Sequence, residues 1–155
     1  MWRYGDEIFP LGAYYTNGKY NVCYVAKGGA GAWKLGVATG SSPDEMPNTR
    51  AVLTKGHIVG GCDPIFISND KIALFVVYEF GKNYIEVRTA NVNLPERLSD
   101  PVETYSMFPP RYRHTAVYLD RDEKKWFVYQ ATDRARDGNK IVARTAPMKL
   151  VNEIK

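Results

Sequence analysis

Apolar and polar residues alternate along this chain in short bursts, and the bursts recur. Ala13-Tyr-Tyr-Thr-Asn-Gly-Lys-Tyr-Asn-Val-Cys-Tyr-Val-Ala26 is followed by Trp33-Lys-Leu-Gly-Val-Ala-Thr-Gly40. Ile65-Phe-Ile-Ser-Asn-Asp-Lys-Ile-Ala-Leu-Phe-Val-Val-Tyr78 is followed by Tyr84-Ile-Glu-Val-Arg-Thr-Ala90. Val117-Tyr-Leu-Asp-Arg-Asp-Glu-Lys-Lys-Trp-Phe-Val-Tyr-Gln-Ala131 is followed by Lys140-Ile-Val-Ala-Arg-Thr-Ala146. Runs this short, rich in aromatic and β-branched residues and bounded by turn residues, predict strands.

The three segments superpose on Leu35, Ile85 and Ile141, on Thr39, Thr89 and Thr145, and on Gly40, Ala90 and Ala146. The period is roughly 50 to 56 residues, the range of propeller blades and solenoids. Each unit reads as strand, tight turn, strand, loop, strand and a weaker fourth strand. The turns fall at Asn17-Gly18, Asn69-Asp70 and Asp120 to Lys124. Asn-Gly is a strong hairpin signal because both residues adopt positive φ at low cost. The fourth strands are expected over Arg50 to Lys55, Val102 to Met107 and about Met148 to Ile154.

The second strand of a unit is apolar on both faces. Tyr20, Val22 and Tyr24 oppose Asn21, Cys23 and Val25; Ile72, Leu74 and Val76 oppose Ala73, Phe75 and Val77. A strand buried on both sides has a layer over each face, and neighbouring blades supply such layers in a propeller. The fold expected is therefore all-β and β-propeller-like, one domain over residues 1–155, with three four-stranded antiparallel blades at about 9–56, 57–109 and 110–155. A plain β-sandwich is the competing arrangement. Three blades make a partial propeller or half of a six-blade ring. Association of two copies would cover the faces left bare at each end.

Composition narrows the function. The net charge is +4, with charges of both signs interspersed. There is no aromatic-plus-basic RNA motif and no helix-turn-helix pattern, which argues against nucleic acid as the partner. Cys23 and Cys62 lie in apolar stretches, away from any metal-ligand spacing, and read as small buried hydrophobes. No metal or cofactor is expected. The longest apolar run, Ile72 to Tyr78, is too short to span a membrane. No apolar signal core stands at the start, so the chain as given reads as cytoplasmic, or as secreted if it is part of a longer precursor.

The stretch Gly60-Gly-Cys-Asp63-Pro64-Ile-Phe-Ile-Ser-Asn-Asp-Lys71 resembles the blade opening of the furanosidase-type β-propeller glycosidases, the arabinanases, xylosidases and fructosidases. Trp33-Lys-Leu-Gly-Val-Ala-Thr-Gly-Ser-Ser-Pro43 is similar to a strand-and-loop signature of that group, and Arg113-His114-Thr-Ala-Val-Tyr-Leu119 to a later blade opening. The resemblance implies a glycoside hydrolase-like site, with carboxylates at blade openings converging on a central channel. Hydrolysis there needs one carboxyl as acid and a second as base or nucleophile. Asp63 matches one such position and is the candidate catalytic carboxylate. By the repeat alignment its counterparts are Leu11 and Thr115, neither a carboxylate. The candidate ligand-binding residues are Arg113, His114, Tyr14 and Glu79. An Asp before Pro also commonly binds turn amides, and a tyrosine that could stack on a sugar ring also serves as core.

Two functions are thus open. One is a carbohydrate-active domain that binds a sugar or a similar polar ligand, its hydrolytic pair incomplete. The other is a non-enzymatic protein-interaction module built on the blades. Fold alone does not choose between them.

Overall fold

The computed structural model describes residues 8–27, 33–54, 58–61, 64–78, 84–106, 112–132 and 141–147; at 33, 59–61, 106, 112–115, 130–132 and 141–147 it describes the backbone only. Twelve strands follow one another: β1 (Ile8–Thr16), β2 (Lys19–Lys27), β3 (Trp33–Gly40), β4 (Asn48–Leu53), β5 (Ile58–Gly61), β6 (Ile65–Phe66), β7 (Lys71–Tyr78), β8 (Tyr84–Asn91), β9 (Glu103–Ser106), β10 (Tyr112–Asp120), β11 (Lys125–Thr132) and β12 (Ile141–Pro147). There is no helix among the described residues. The strands form three antiparallel sheets in chain order: β1-β2-β3-β4, then β5-β7-β8-β9 with β6 also paired to β7, then β10-β11-β12. The fourth strand expected near 148–154 lies outside the described residues.

Local chemistry sets the hairpins. Asn17 and Gly18 have φ of 47° and 75°, and Thr16 pairs with Lys19, so this is the two-residue turn that matches strand twist. In the third sheet the Asp120 carboxylate accepts the backbone N–H groups of Asp122 and Glu123 at 3.1 and 2.9 Å, and Lys124 closes the turn at φ 51°. That side chain thus satisfies turn donors which would otherwise rely on water. β4 has the expected length but lies two residues earlier, and β9 is shorter than expected; they begin at Asn48 and Glu103, where pairing to Thr39 and Val87 starts.

The repeat anchors occupy equivalent pairs. Leu35, Ile85 and Ile141 stand opposite Val25, Val77 and Ala131. Thr39, Thr89 and Thr145 stand opposite Asn21, Ala73 and Phe127. Positions in the three sheets can therefore be equated residue by residue.

The sheets stack face to face. Ile72 to Tyr78 of β7 are all buried. One face of the middle sheet, with Ile72, Leu74, Ala90 and Val92, packs on Tyr14, Cys23 and Val37 of the first. Val76 and Tyr78, with Ile58 of the same sheet, continue that contact onto Val25 and Leu35. The opposite face, with Ala73, Phe75, Val77, Ile85 and Val87, packs on Leu119, Trp126 and Val128 of the third sheet. Phe75 meets Trp126 edge-on, with centroids 4.9 Å apart. Each such side chain contributes about 1.5–3 kcal/mol by leaving water. Three layers with a two-sided middle sheet are not a two-layer sandwich; they are the stacking of successive propeller-like blades. The mating rule is the same at both junctions. The face carrying Cys23 or Phe75 meets the next sheet's face carrying Leu74 or Val128.

Candidate functional site

The first strands of the sheets position the candidate site. β5 lies beside β10 and also approaches β2 and β3, so it is the innermost strand of the middle sheet. β5 and β10 each carry a bulge at the same register. Ile58 pairs with Tyr78 and Gly60 with Val77, leaving Val59 extra; Tyr112 pairs with Thr132 and His114 with Ala131, leaving Arg113 extra. Since Tyr78 and Thr132 are equivalent positions, Arg113 and His114 occupy on β10 the places that Val59 and Gly60 occupy on β5. In the first sheet the bulge falls at Leu11, between Pro10 and Gly12, two positions further along the partner strand.

This pairing corrects the alignment of blade openings. The residues that share a register are Gly61, Thr115 and Pro10, opposite Val76, Gln130 and Tyr24. Asp63 comes two residues after Gly61, and the chain has three residues between Gly61 and Ile65 where β7 has two between Val76 and Ala73. Bulges and this extra residue shift the match, and letter-by-letter alignment does not see them. Two residues before Tyr14 and Tyr118, as Asp63 is two before the equivalent Ile65, stand Gly12 and Ala116, again not carboxylates.

Of the candidate residues, Asp63 and Glu79 lie outside the described residues. Arg113 and His114 come together on the β10 bulge. Tyr14 lies elsewhere. It is 8% exposed, its hydroxyl donates to the Val92 carbonyl at 2.9 Å, and its ring packs edge-on against Phe66. This placement ties the first sheet to the second. Burial holds the Tyr14 phenol above its ordinary range, and Cys23 and Glu96 add to the effect.

Two polar features were not singled out from the sequence. The first is a cluster on the middle sheet, on the face turned to the first. Arg88 donates through Nε and one terminal nitrogen to Glu86 at 2.9 and 2.8 Å, and through the other to the Ser99 carbonyl at 2.9 Å. Tyr78 stacks on Tyr84, with centroids 4.8 Å apart and planes 10° from parallel. Burial pushes the Tyr78 hydroxyl up to about 12; Glu86, its hydrogen-bond partner, adds to this while Arg88 opposes it. Burial also raises Tyr84. Arg88 spends its donors inside this cluster, which fastens the 97–100 segment to β8. The second feature is Glu103, a carboxylate only 3% exposed, opposite Val87 on β9. β9 is three strand spacings from β5 in the sheet order, roughly 14 Å at about 4.8 Å each. That exceeds the roughly 5–10 Å between a hydrolytic carboxyl pair. No group of three or more metal-ligating side chains occurs among the described residues, and no described helix is long and apolar enough to cross a membrane.

No protein-family model and no curated protein matches the chain. Among solved structures it is similar to an α-L-arabinofuranosidase from Clostridium thermocellum, at a TM-score of 0.46 and 17% identity over 90% of this chain. The chain spans about half of that structure, 48% of its length.

Proposed function

We propose that the chain is a carbohydrate-binding, β-propeller-like domain that holds a sugar or similar polar ligand at its innermost strands and does not turn it over efficiently. The observation that carries this reading is the matched pair of bulges on neighbouring first strands. They set Arg113 and His114 on β10 beside the β5 segment that leads into Asp63. Bulges cluster next to binding sites because they re-aim side chains out of the regular pleat. An acid, a guanidinium and an imidazole acting on one ligand suit its hydroxyls and carboxylates through charge-assisted hydrogen bonds. The similarity of the Asp63-Pro64 segment to glycosidase blade openings gives the ligand class.

Turnover needs a second carboxylate, and the residues two before Tyr14 and Tyr118, as Asp63 is two before the equivalent Ile65, are Gly12 and Ala116. Glu103 is too far from β5 to serve. The test is calorimetric titration with arabino- and xylo-oligosaccharides beside a panel of nitrophenyl furanosides, on wild type and Asp63→Ala. Expected are binding weakened by the substitution and no hydrolysis above background. Turnover abolished by Asp63→Ala would make the domain an enzyme. Absence of binding to every sugar would leave the interaction-module reading.

A further inference from the structure

The equated positions of the three sheets place an exposed tyrosine where the first sheet has a buried one. Tyr14 pairs with Asn21 on the first sheet, and Tyr118 pairs with Phe127 on the third. Asn21 and Phe127 are equivalent, since they face Thr39 and Thr145. Tyr14 reaches across to the middle sheet, where its ring meets Phe66 at 5.6 Å and its hydroxyl donates to Val92. Tyr118 has the same position and the same outward parity, yet it is 59% exposed. Beside it on that face, Ala116 and Tyr129 are exposed and Phe127 is half-buried, its ring 6.2 Å from that of Tyr118.

The complementary half of this contact lies at the other end of the same chain. Phe66, which receives Tyr14, pairs with Ile72; its counterpart on the first sheet is Tyr15, which pairs with Tyr20. Tyr15 is 59% exposed and packs on Tyr20 at 4.7 Å. The counterpart of Val92, two residues past Ala90, is Ser42, two past Gly40. The far half of the outer face of the first sheet is already covered, with Tyr24, Ala26 and Ala38 buried against Val22 and Met46. Beside the Asn17-Gly18 hairpin the β1 side of that face is open at Ala13 and Tyr15, while the Glu45 backbone lies over Gly40 on β3; Tyr118 likewise sits beside its own hairpin.

We infer that the outer face of the third sheet docks on the outer face of the first sheet of a second copy of this chain, with Tyr118 packing on Tyr15 of that copy as Tyr14 packs on Phe66. The contact continues the mating rule that already operates twice inside each copy. The Tyr118 hydroxyl then finds its acceptor at the segment around Ser42, in the role of Val92. Two copies docked reciprocally close a two-fold ring of six sheets, within the usual range of propeller blade numbers, in which each copy supplies one half of both new junctions. Exposed aromatic patches of this kind mark interfaces. The inference stands independently of the ligand proposed above.

Sedimentation and light scattering on the 155-residue chain provide the test. The expected mass is twice the 17.5 kDa of one chain. Tyr118→Arg and Tyr15→Arg each give a monomer with an unchanged far-ultraviolet circular dichroism spectrum, because both positions are exposed. Tyr118→Phe keeps the ring and loses the hydroxyl at both junctions, so it weakens the dimer by roughly five- to a hundredfold, the worth of two hydrogen bonds. Mixing the two Arg variants restores one of the two junctions, since the intact Tyr118 of one meets the intact Tyr15 of the other, while the second junction carries both arginines; the mixture therefore associates more than either variant alone and less than wild type. A chain monomeric at all concentrations overturns the inference and leaves the face to another partner. So does a dimer that neither Arg substitution disturbs, or a mixture of the variants that associates no more than each variant alone.

Discussion

The hydroxyl of Tyr14 donates to the carbonyl oxygen of Val92, 2.9 Å away and 78 residues along the chain. It is a buried polar bond across the junction of the two sheets, where the other polar links, Asn17 to Asn93 and Arg50 to Glu96, lie nearer the surface. Tyr14→Phe keeps the ring on Phe66 and leaves the carbonyl short of a partner. The expected loss is about 1 kcal/mol of stability, rising towards about 2–3 if water does not reach the carbonyl. Urea unfolding measures it. A midpoint equal to wild type would show that the bond contributes nothing net.

Gly36 carries no side chain because the Tyr24 ring occupies the space. A Cβ built there runs into the Tyr24 Cζ and hydroxyl, and this ring is itself buried. Gly36→Ala therefore forces the ring aside, at about 1–3 kcal/mol, which for a chain of this size lowers Tm by several degrees. The double substitution with Tyr24→Leu recovers part of the loss in thermal melts. Equal losses in the single and double variants would show that the ring is not what meets the new methyl.

Alkaline pH should loosen the junction of the first and second sheets. Tyr78 has its ordinary value of 10.0 when unfolded and about 12 when folded. Between these values the unfolded chain binds fewer protons than the folded one, so stability falls as pH rises. The contribution is whole below pH 10 and is lost through about pH 12; Tyr14 and Tyr84 act in the same direction. Tyrosinate absorbance followed during an alkaline titration should show a late, cooperative step, made shallower by Tyr78→Phe. A titration in which all tyrosines ionise together near their ordinary value would contradict this.

Arg113 stands extra on the β10 bulge. If it grips the proposed ligand, Arg113→Ala loses a charge-assisted contact of about 1.5–3 kcal/mol, roughly ten- to a hundredfold in affinity. Arg113→Lys recovers only part of it, since an ammonium lacks the planar fork of the guanidinium. Calorimetry on the oligosaccharide bound best by wild type reads the effect. Wild-type affinity in the Ala variant would remove Arg113 from the site.

The repeat was legible because strand pairing imposes a period of two on side chains, and a shared register leaves shared residues. Thr39, Thr89 and Thr145 appear in the letters and stand at one position in the sheets. The two-sided burial of β7 was equally plain in its unbroken apolar run. The bulges were not legible. Whether Val59 or Arg113 is the extra residue depends on which partner residues it meets, and no local preference announces that. For the same reason Asp63 aligned with Thr115 in the letters, while pairing sets Gly61 opposite the equivalent place. Tyr14 had the composition of a sugar-stacking residue; only the neighbouring sheet reveals a carbonyl waiting for its hydroxyl. Glu103 went unremarked because a lone acid in a weak fourth strand looks solvated until the next sheet covers it.

The middle sheet is walled by a sheet on each side, whereas the outer two each have only one such neighbour within the chain. Local opening can therefore begin at either end without disturbing the centre, but the centre opens only when both walls have gone. Backbone amides of β7 should exchange with deuterium last, at a rate set by complete unfolding, and those of β1 and β10 first. The order of exchange across the chain would then run from both flanks inwards, and assembly into a ring would slow the flanks most.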